Sequence, residues 1–292
     1  MVRPSLKLRK ENKIKTIHHS LAIEGNTLTQ EQVTALLEKK RVIGPKKQIR
    51  EVINALNLYD RILSFDSLSE KDLLKAHSIL MRDLVLSPGK YRTTSVGIIK
   101  GSKVSHVAPQ AKMISGLMKN LFEFLKAKND IPYLIKACIF HYELEFIHPF
   151  EDGNGRMGRL WQQAILIKHS VLFEYISFES LIHKKQKQYY KVLESCDKAG
   201  DSTAFIEFSL ELIFEVLNEF SVENRPIKIS GRERVELALA AFKKKVFTRK
   251  EYLNLYREIS TATASRDLAS AVKEKVLSRV GEKSLATYKV TK

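Results

Sequence analysis

Apolar residues recur at helical spacing along most of this 292-residue chain, and short polar stretches mark where each run stops. Spacings of three and four put apolar side chains on one helical face. They predict helices near residues 8–24, 29–40, 47–64, 70–83, 110–127, 132–147, 155–168, 179–198 and 201–222. Gly25-Asn26 supplies a stop for the first helix, and Thr29 with Gln32 has the spacing of a capping box for the second. Pro132 suits a first helical turn, and Leu134, Ile135, Cys138, Ile139, Tyr142 and Phe146 behind it form a core stripe. The stretch YRTTSVGIIKGSKVSHV breaks the pattern. Its β-branched residues around Gly101-Ser102 predict a short hairpin, which must lie against the helical body or a ligand, because an isolated hairpin is only marginally stable.

Past residue 222 the pattern changes. VENRPIKISGRER reads as a linker, placing a boundary at 223–231 between a first domain (1–222) and a second (232–292). Three short helical patterns follow, and VLSRVGEKSLATYKV then reads as two strands about a turn at Gly281. This order resembles a winged helix-turn-helix. Its third helix would carry Thr263, Ser265 and Arg266 near the start, with Arg279 and Lys283 on the wing, as candidate contacts to duplex DNA. The expected fold class is mainly α: a helical bundle with a short β-hairpin, then a small winged helix-turn-helix domain.

Composition adds constraints. Hydrophobic residues make up 44%, ordinary for a soluble globular protein. No apolar run reaches the roughly 18 residues of a membrane span, and MVRPSLKLRKENKIK lacks the apolar core of a signal peptide. Cys138 and Cys196 form no CxxC pair, so buried free thiols in a reducing, cytoplasmic setting are expected. The net charge of +17 favours phosphate-bearing partners. Its distribution says more: residues 225–292 hold 17 Lys/Arg against 7 Asp/Glu, a net +10.

The densest chemistry lies in IHPFEDGNGRMGRL, Ile147–Leu160. One helical pattern ends near Ile147 and another begins near Asn154. Glycines at 153 and 155 allow backbone amides to approach a ligand, and the positive end of the following helix makes an anion site, to which Asn154 adds a side-chain amide. Arg156 and Arg159, three apart, can clamp phosphates from one side of the first turn. Positive charge is unfavourable at a helix N-terminus, so two arginines there call for an anion. Asp152 suits a Mg²⁺ shared with phosphate oxygens. His148 suits proton abstraction from a hydroxyl. Gly153, Gly155 and Gly158 also fit GxGxxG, but the strand that a dinucleotide fingerprint requires is missing from this pattern.

His148 through Arg159 resembles the Fic signature HxFx(D/E)GNGRxxR at every fixed position. The resemblance extends over roughly residues 1–222. GKYR (Gly89–Arg92) and SHVAP (Ser105–Pro109) resemble the ends of that family's flap region, about 91–109, with Val104, Ser105 and His106 on its second strand. KQYYKVLESCD resembles its adenosine-side helix, with Tyr189 and Asp197 as nucleoside contacts. The resemblance implies Mg²⁺-dependent transfer of AMP from ATP to a Ser, Thr or Tyr hydroxyl of a protein, the chain itself included, with release of pyrophosphate. His148 would be the base and Asp152 the metal ligand. Gly153, Asn154, Gly155 and Arg156 would cradle the phosphates, Arg159 would meet the γ-phosphate, and the flap would pair with the target.

SLAIEGN then gains meaning. Ser20 and Glu24 share a helical face, and with Gly25 they match the family's inhibitory motif (S/T)xxxE(G/N), which Asn26 follows. The resemblance is to class II members, in which an N-terminal helix blocks the γ-phosphate site. Three alternatives stay open: a DNA-binding regulator with a sensory Fic domain, removal of AMP, and transfer of another phosphate-bearing group. A homodimer is also left open. His141 and Trp161 read as packed core residues.

Overall fold

The computed structural model describes residues 6–94, 97–100, 103–223, 230–242, 246–256, 259–281 and 286–291. The chain divides into two compact units, Met1–Ser221 and Val222–Lys292.

In the first unit, α1 (Leu6–Ile23) runs in from the N-terminus and stops at Gly25, whose φ of +88° closes a turn with Asn26 N–H donating to Leu21 O. The predicted capping box at Thr29 and Gln32 starts α2 (Gln30–Leu37). Helices α3 (Lys46–Tyr59) and α4 (Glu70–Leu80) follow, each shorter than the pattern predicted, with a 3-10 turn at Ile62–Ser64 between them. Strands β1 (Gly97–Lys100) and β2 (Lys103–Val107) pair antiparallel, and among the described residues they form a two-stranded sheet of their own. Ile98 faces His106 and Ile99 faces Val104, so Ser105 is the extra residue of a β-bulge. Gly101 and Ser102 of the predicted turn lie outside the described residues.

Helices α5 (Ile114–Lys126), α6 (Tyr133–Ile147) and α7 (Asn154–His169) come next. Helix α6 buries residues on several faces, among them Ala137, Phe140, His141 and Leu144, which marks it as central. Helix α7 packs against it closely enough that a Cβ on Gly158 would lie 2.6 Å from His141 Cδ2. Residues 179–198, predicted as one helix, are two: α8 (Glu179–Lys184) and α9 (Gln186–Ala199), broken at Lys185, where φ −102° and ψ 25° leave the helical region. Helix α10 (Thr203–Glu223) ends the unit. Ile14, Ile17, Leu21 and Ile23 seat α1 in the same apolar core as Trp161 and Phe140.

The second unit holds α11 (Gly231–Ala241), β3 (Phe247–Thr248), α12 (Arg249–Leu255), α13 (Thr261–Lys273), β4 (Leu277–Val280) and β5 (Thr287–Val290). The sheet order is β3-β5-β4, all antiparallel. Strand β3 was not foreseen, since two residues are too few to show periodicity. Val235, Phe247, Tyr252, Leu268 and Leu277 form a core separate from that of the first unit. A bidentate pair, Arg234 Nε and Nη2 donating to Asp267 at 2.7 and 2.9 Å, joins α11 to α13, and Tyr252 also donates to Asp267.

Candidate active site

The loop from His148 to Gly153 is fixed at both ends by side chains from elsewhere in the first unit. His148 ends α6 in the left-handed region, φ 49° and ψ 59°, a conformation that costs a non-glycine residue on the order of 1 kcal/mol. Arg92, 3% exposed, holds it there. Its Nε donates to His148 O at 2.7 Å, and its terminal nitrogens donate to Thr94 O, Pro109 O and Ile147 O. Its own N–H donates to Pro149 O. One guanidinium therefore ties both ends of the hairpin segment to the residue read as base. His148 Nδ1 lies 3.3 Å from Glu145 O. A carbonyl can only accept, so Nδ1 carries the proton and the lone pair of the neutral ring sits on Nε2.

The Asn154 side chain is fixed by the loop itself. Phe150 N–H donates to its Oδ1 at 2.9 Å and its Nδ2 donates to Phe150 O at 3.0 Å. Both ends of the amide satisfy buried backbone groups of the loop, and this leaves one of the two Nδ2 hydrogens for the anion site. At the other end His77 stacks on Phe150, with centroids 3.7 Å apart and planes at 8°. It accepts from Gly89 N–H at Nδ1 (2.8 Å) and reaches Asp152 O from Nε2 (3.0 Å). Burial lowers its pKa to about 4, which keeps the ring neutral.

Gly153 opens α7 at φ 88°, and a Cβ there would lie 2.8 Å from Met81 Sδ. Arg156 and Arg159 are 6% and 1% exposed. They do not share one partner. Arg156 Nη2 donates to Asp152 Oδ1 at 2.9 Å and Nη1 lies 3.8 Å from Glu51. Arg156 Nε is buried without a hydrogen-bond partner in the described structure. Arg159 turns the other way, to α1: Nε donates to Ser20 Oγ (3.2 Å), and Nη2 to Ser20 O (3.0 Å) and Glu24 Oε1 (2.7 Å). Burial acts to lower the Arg159 pKa, but Glu24, Tyr189 and Glu145 outweigh it and hold the guanidinium charged. The Glu24 carboxylate lies over the start of α7, 2.5 Å from where a Gly155 Cβ would be. Gly155 is thus required for that close approach. Asn26, next along the SLAIEGN motif after Gly25, donates to Glu51 at 2.8 Å, which links the end of α1 to the Arg156 side of the site.

Tyr189 does not fit the nucleoside contact expected of it. It is 1% exposed, and its hydroxyl is spent on His141 Nε2 (3.1 Å) and Glu145 (3.3 Å), so its ring is core and not a nucleoside-facing surface. The neighbouring Tyr190 keeps partial exposure. His141 also meets Gln162 at 2.8 Å and is packed as expected. Burial pushes Glu145 up, but its bond to His141 and the charges of His141 and Arg159 leave it below the ordinary carboxylate range. Asp197 accepts from Tyr142 at 3.1 Å. Asp152 is half exposed at 48%, with Oδ1 accepting from Gly153 N–H and Arg156. Among the described residues no three His, Cys, Asp or Glu side chains converge on a metal position, so a cation at Asp152 would take most of its shell from other oxygens, such as water or phosphate.

In the second unit Thr263 and Ser265 lie near the start of α13, Ser265 accepting from Arg249 at 3.0 Å, and Arg266 and Arg279 are exposed. Lys283 lies outside the described residues. Sequence reasoning missed Arg92, His77, Glu51 and Glu145 as site residues. Only Arg92 had a signal, as the last residue of GKYR.

The Fic/DOC family model matches residues 67–166. A crystal structure of a Fic family protein from Desulfovibrio desulfuricans G20 is 37% identical, covers 98% of this chain and 88% of its own, and superposes with a TM-score of 0.72. "Protein adenylyltransferase Fic" of Nematostella vectensis is 32% identical over 217 residues, 70% of this chain and 48% of that protein. "Protein adenylyltransferase fic-1" of Caenorhabditis elegans is 32% identical over 165 residues, 52% of this chain and 31% of that protein. The chain thus spans less than half the length of these two relatives.

Proposed function

The chain belongs to the Fic/DOC family, and from that premise we propose that it is an autoinhibited protein adenylyltransferase, moving AMP from ATP to a protein hydroxyl. The carrying observation is the buried Arg159, held by Glu24 of α1 at 2.7 Å directly over the N-terminal turn of α7. A desolvated guanidinium needs an anion, and the same place suits the terminal phosphate of ATP.

In this reading His148 Nε2 takes the proton of a Ser, Thr or Tyr hydroxyl. The oxygen attacks the α-phosphorus, the bond to the bridging oxygen breaks, and pyrophosphate leaves. The amides of Gly153, Asn154 and Gly155, with Arg156, neutralise the phosphates. Mg²⁺, which the family resemblance implies, fits a half-exposed carboxylate such as Asp152 that takes the rest of its shell from phosphate oxygens; it would supply charge neutralisation at the α- and β-phosphates. The outer edges of the β1–β2 hairpin, which pair with no other strand among the described residues, offer a target segment strand-like pairing. The γ-phosphate and Glu24 compete for one arginine, which is the brake.

Purified full-length chain, wild type and Glu24→Gly, incubated with labelled ATP and Mg²⁺, tests the reading. Label should enter protein in the Glu24→Gly form and scarcely in wild type. No incorporation by either form, into itself or into cell extract, overturns it.

The second unit carries a further reading. We propose that it is a winged helix-turn-helix, a reading that the order α11-β3-α12-α13-β4-β5 supports, and that exposed Arg266 and Arg279 contact the phosphates of duplex DNA.

A further inference from the structure

His77 is wired to two of the segments that frame the site, through Asp152 O and Gly89 N–H. It stands on α4 and is 1% exposed. Its Nδ1 accepts the Gly89 N–H at 2.8 Å, which fixes the tautomer, because an acceptor nitrogen carries no hydrogen. The hydrogen is therefore on Nε2, and it is donated to Asp152 O at 3.0 Å. The peptide it grips, between Asp152 and Gly153, has its other polar group engaged as well: Gly153 N–H donates to Asp152 Oδ1 at 2.6 Å. One imidazole therefore sets the plane of a peptide whose N–H in turn holds the Asp152 carboxylate. Stacking on Phe150 fixes the plane of the ring itself.

Arg156 holds the Asp152 carboxylate itself at 2.9 Å, but among the described residues the hydrogen bond to the Asp152 carbonyl is that of His77. Gly153 adopts φ +88°, where glycine has wide freedom. Asn154 closes the loop between Phe150 and itself, and Arg92 grips only carbonyls from Ile147 to Pro149 in this loop. Between those two clamps, the Asp152 carbonyl is held by His77.

We infer that His77 is a positioning residue that aims the Asp152 carboxylate and couples it, through Gly89, to the segment leading into the β1–β2 hairpin. The inference rests on the reading above that Asp152 serves Mg²⁺ and phosphate binding.

Two near-isosteric substitutions separate the bonds. An Asn at this position can place an acceptor near Nδ1 and loses the bond to Asp152; a Gln can place a donor near Nε2 and loses the bond to Gly89. Both are made in full-length Glu24→Gly protein, and AMP transfer is measured against Mg²⁺ concentration at saturating ATP. His77→Asn is expected to raise the Mg²⁺ concentration for half-maximal transfer about tenfold or more, with the maximal rate less affected. His77→Gln is expected to stay within about threefold. Leu73→Ala, which removes a buried side chain from the same helix, controls for stability: it should lower the thermal midpoint without moving the Mg²⁺ midpoint. Equal Mg²⁺ midpoints for the Asn and Gln forms overturn the inference, as does a Leu73→Ala shift equal to that of His77→Asn.

A second measurement needs no substitution at His77. In long-range ¹⁵N–¹H spectra of the Glu24→Gly chain, His77 should appear as the Nε2–H tautomer, and ATP with Mg²⁺ should move its Nε2–H signal. The opposite tautomer, or a signal that ignores both additions, also overturns the inference. If the Glu24→Gly chain transfers no AMP at any Mg²⁺ concentration, the enzymatic reading fails instead, and the spectra still report on His77.

Discussion

A guanidinium with 1% exposure has few ways to be satisfied, and at Arg159 each of them involves either α1 or a ligand. The Ser20 contacts are neutral; among the described residues the carboxylate paired with it is Glu24. Removing that carboxylate should leave Arg159 seeking an anion, and the terminal phosphate of ATP is the anion that the proposed reaction would bring. Misplacement by about 1 Å can cost on the order of 100-fold in rate, so Glu24→Gly should raise AMP transfer by about that factor. Glu24→Gly/Arg159→Ala should lose the gain, as read by label incorporation under saturating ATP. A double variant as fast as Glu24→Gly would show that Arg159 does not orient the nucleotide. Glycines give a second residue-scale test. A Cβ at Gly158 meets His141 at 2.6 Å, whereas one at Gly116 meets nothing within 4 Å. Gly158→Ala should destabilise the chain by about 1–3 kcal/mol through overpacking. Gly116→Ala should stabilise it by roughly 0.5 kcal/mol, because helical alanine loses less backbone entropy on folding. Urea denaturation measures both.

At the scale of elements, contiguous chemistry was legible and dispersed chemistry was not. The α6–loop–α7 segment could be read because its base, glycines and arginines follow one another in the chain. Arg92 and His77 act on backbone carbonyls far away in sequence, and a carbonyl leaves no mark in the amino-acid pattern. The bonds that Asn154 makes to Phe150 were not legible, because composition cannot tell which way an amide turns. Tyr189 and Tyr190 are adjacent and so point about 100° apart on a helix; only packing decides which one is core. The break of 179–198 at Lys185 had no proline or glycine to announce it. It matters for Glu179, which begins α8 fully buried, with 0% exposure. Burial pushes its carboxyl from 4.5 up to about 7. A folded-state pKa above the unfolded one means that the folded chain binds the proton more tightly, so stability is complete below about pH 4.5 and falls as pH rises toward 7. At about 1.4 kcal/mol per unit, the loss has an upper bound of about 3 kcal/mol. Glu179→Gln should therefore raise the thermal midpoint over wild type at pH 8 and leave it nearly unchanged at pH 5. A gain of the same size at both pH values would mean that Glu179 does not titrate between them.

At the scale of the whole molecule, charge and chemistry are segregated. The first unit keeps its site cations buried and paired, Arg156 with Asp152 and Arg159 with Glu24. The second unit spends Arg234 on a buried pair with Asp267 and leaves Arg266 and Arg279 exposed on α13 and β4. Exposed cations that meet phosphates displace condensed counterions, and each contact adds about −0.9 to the slope of log affinity against log salt. Roughly four such contacts would give a slope near −3.6 and about a 100-fold fall in affinity between 50 and 200 mM salt. Fluorescence anisotropy of a labelled duplex with the full-length chain reads this directly. Arg266→Ala should flatten the slope by about one contact on any duplex sequence, whereas Arg156→Ala, whose side chain is buried in the other unit, should leave it unchanged. A salt-independent affinity, or a slope that responds to Arg156→Ala and not to Arg266→Ala, would move the binding away from α13. Exposed Arg266 and Arg279 would then be read as contacts for an acidic protein surface, because exposed cations in a segment of net charge +10 attract anions of either kind, and only the closely spaced phosphates of a duplex release counterions in that proportion.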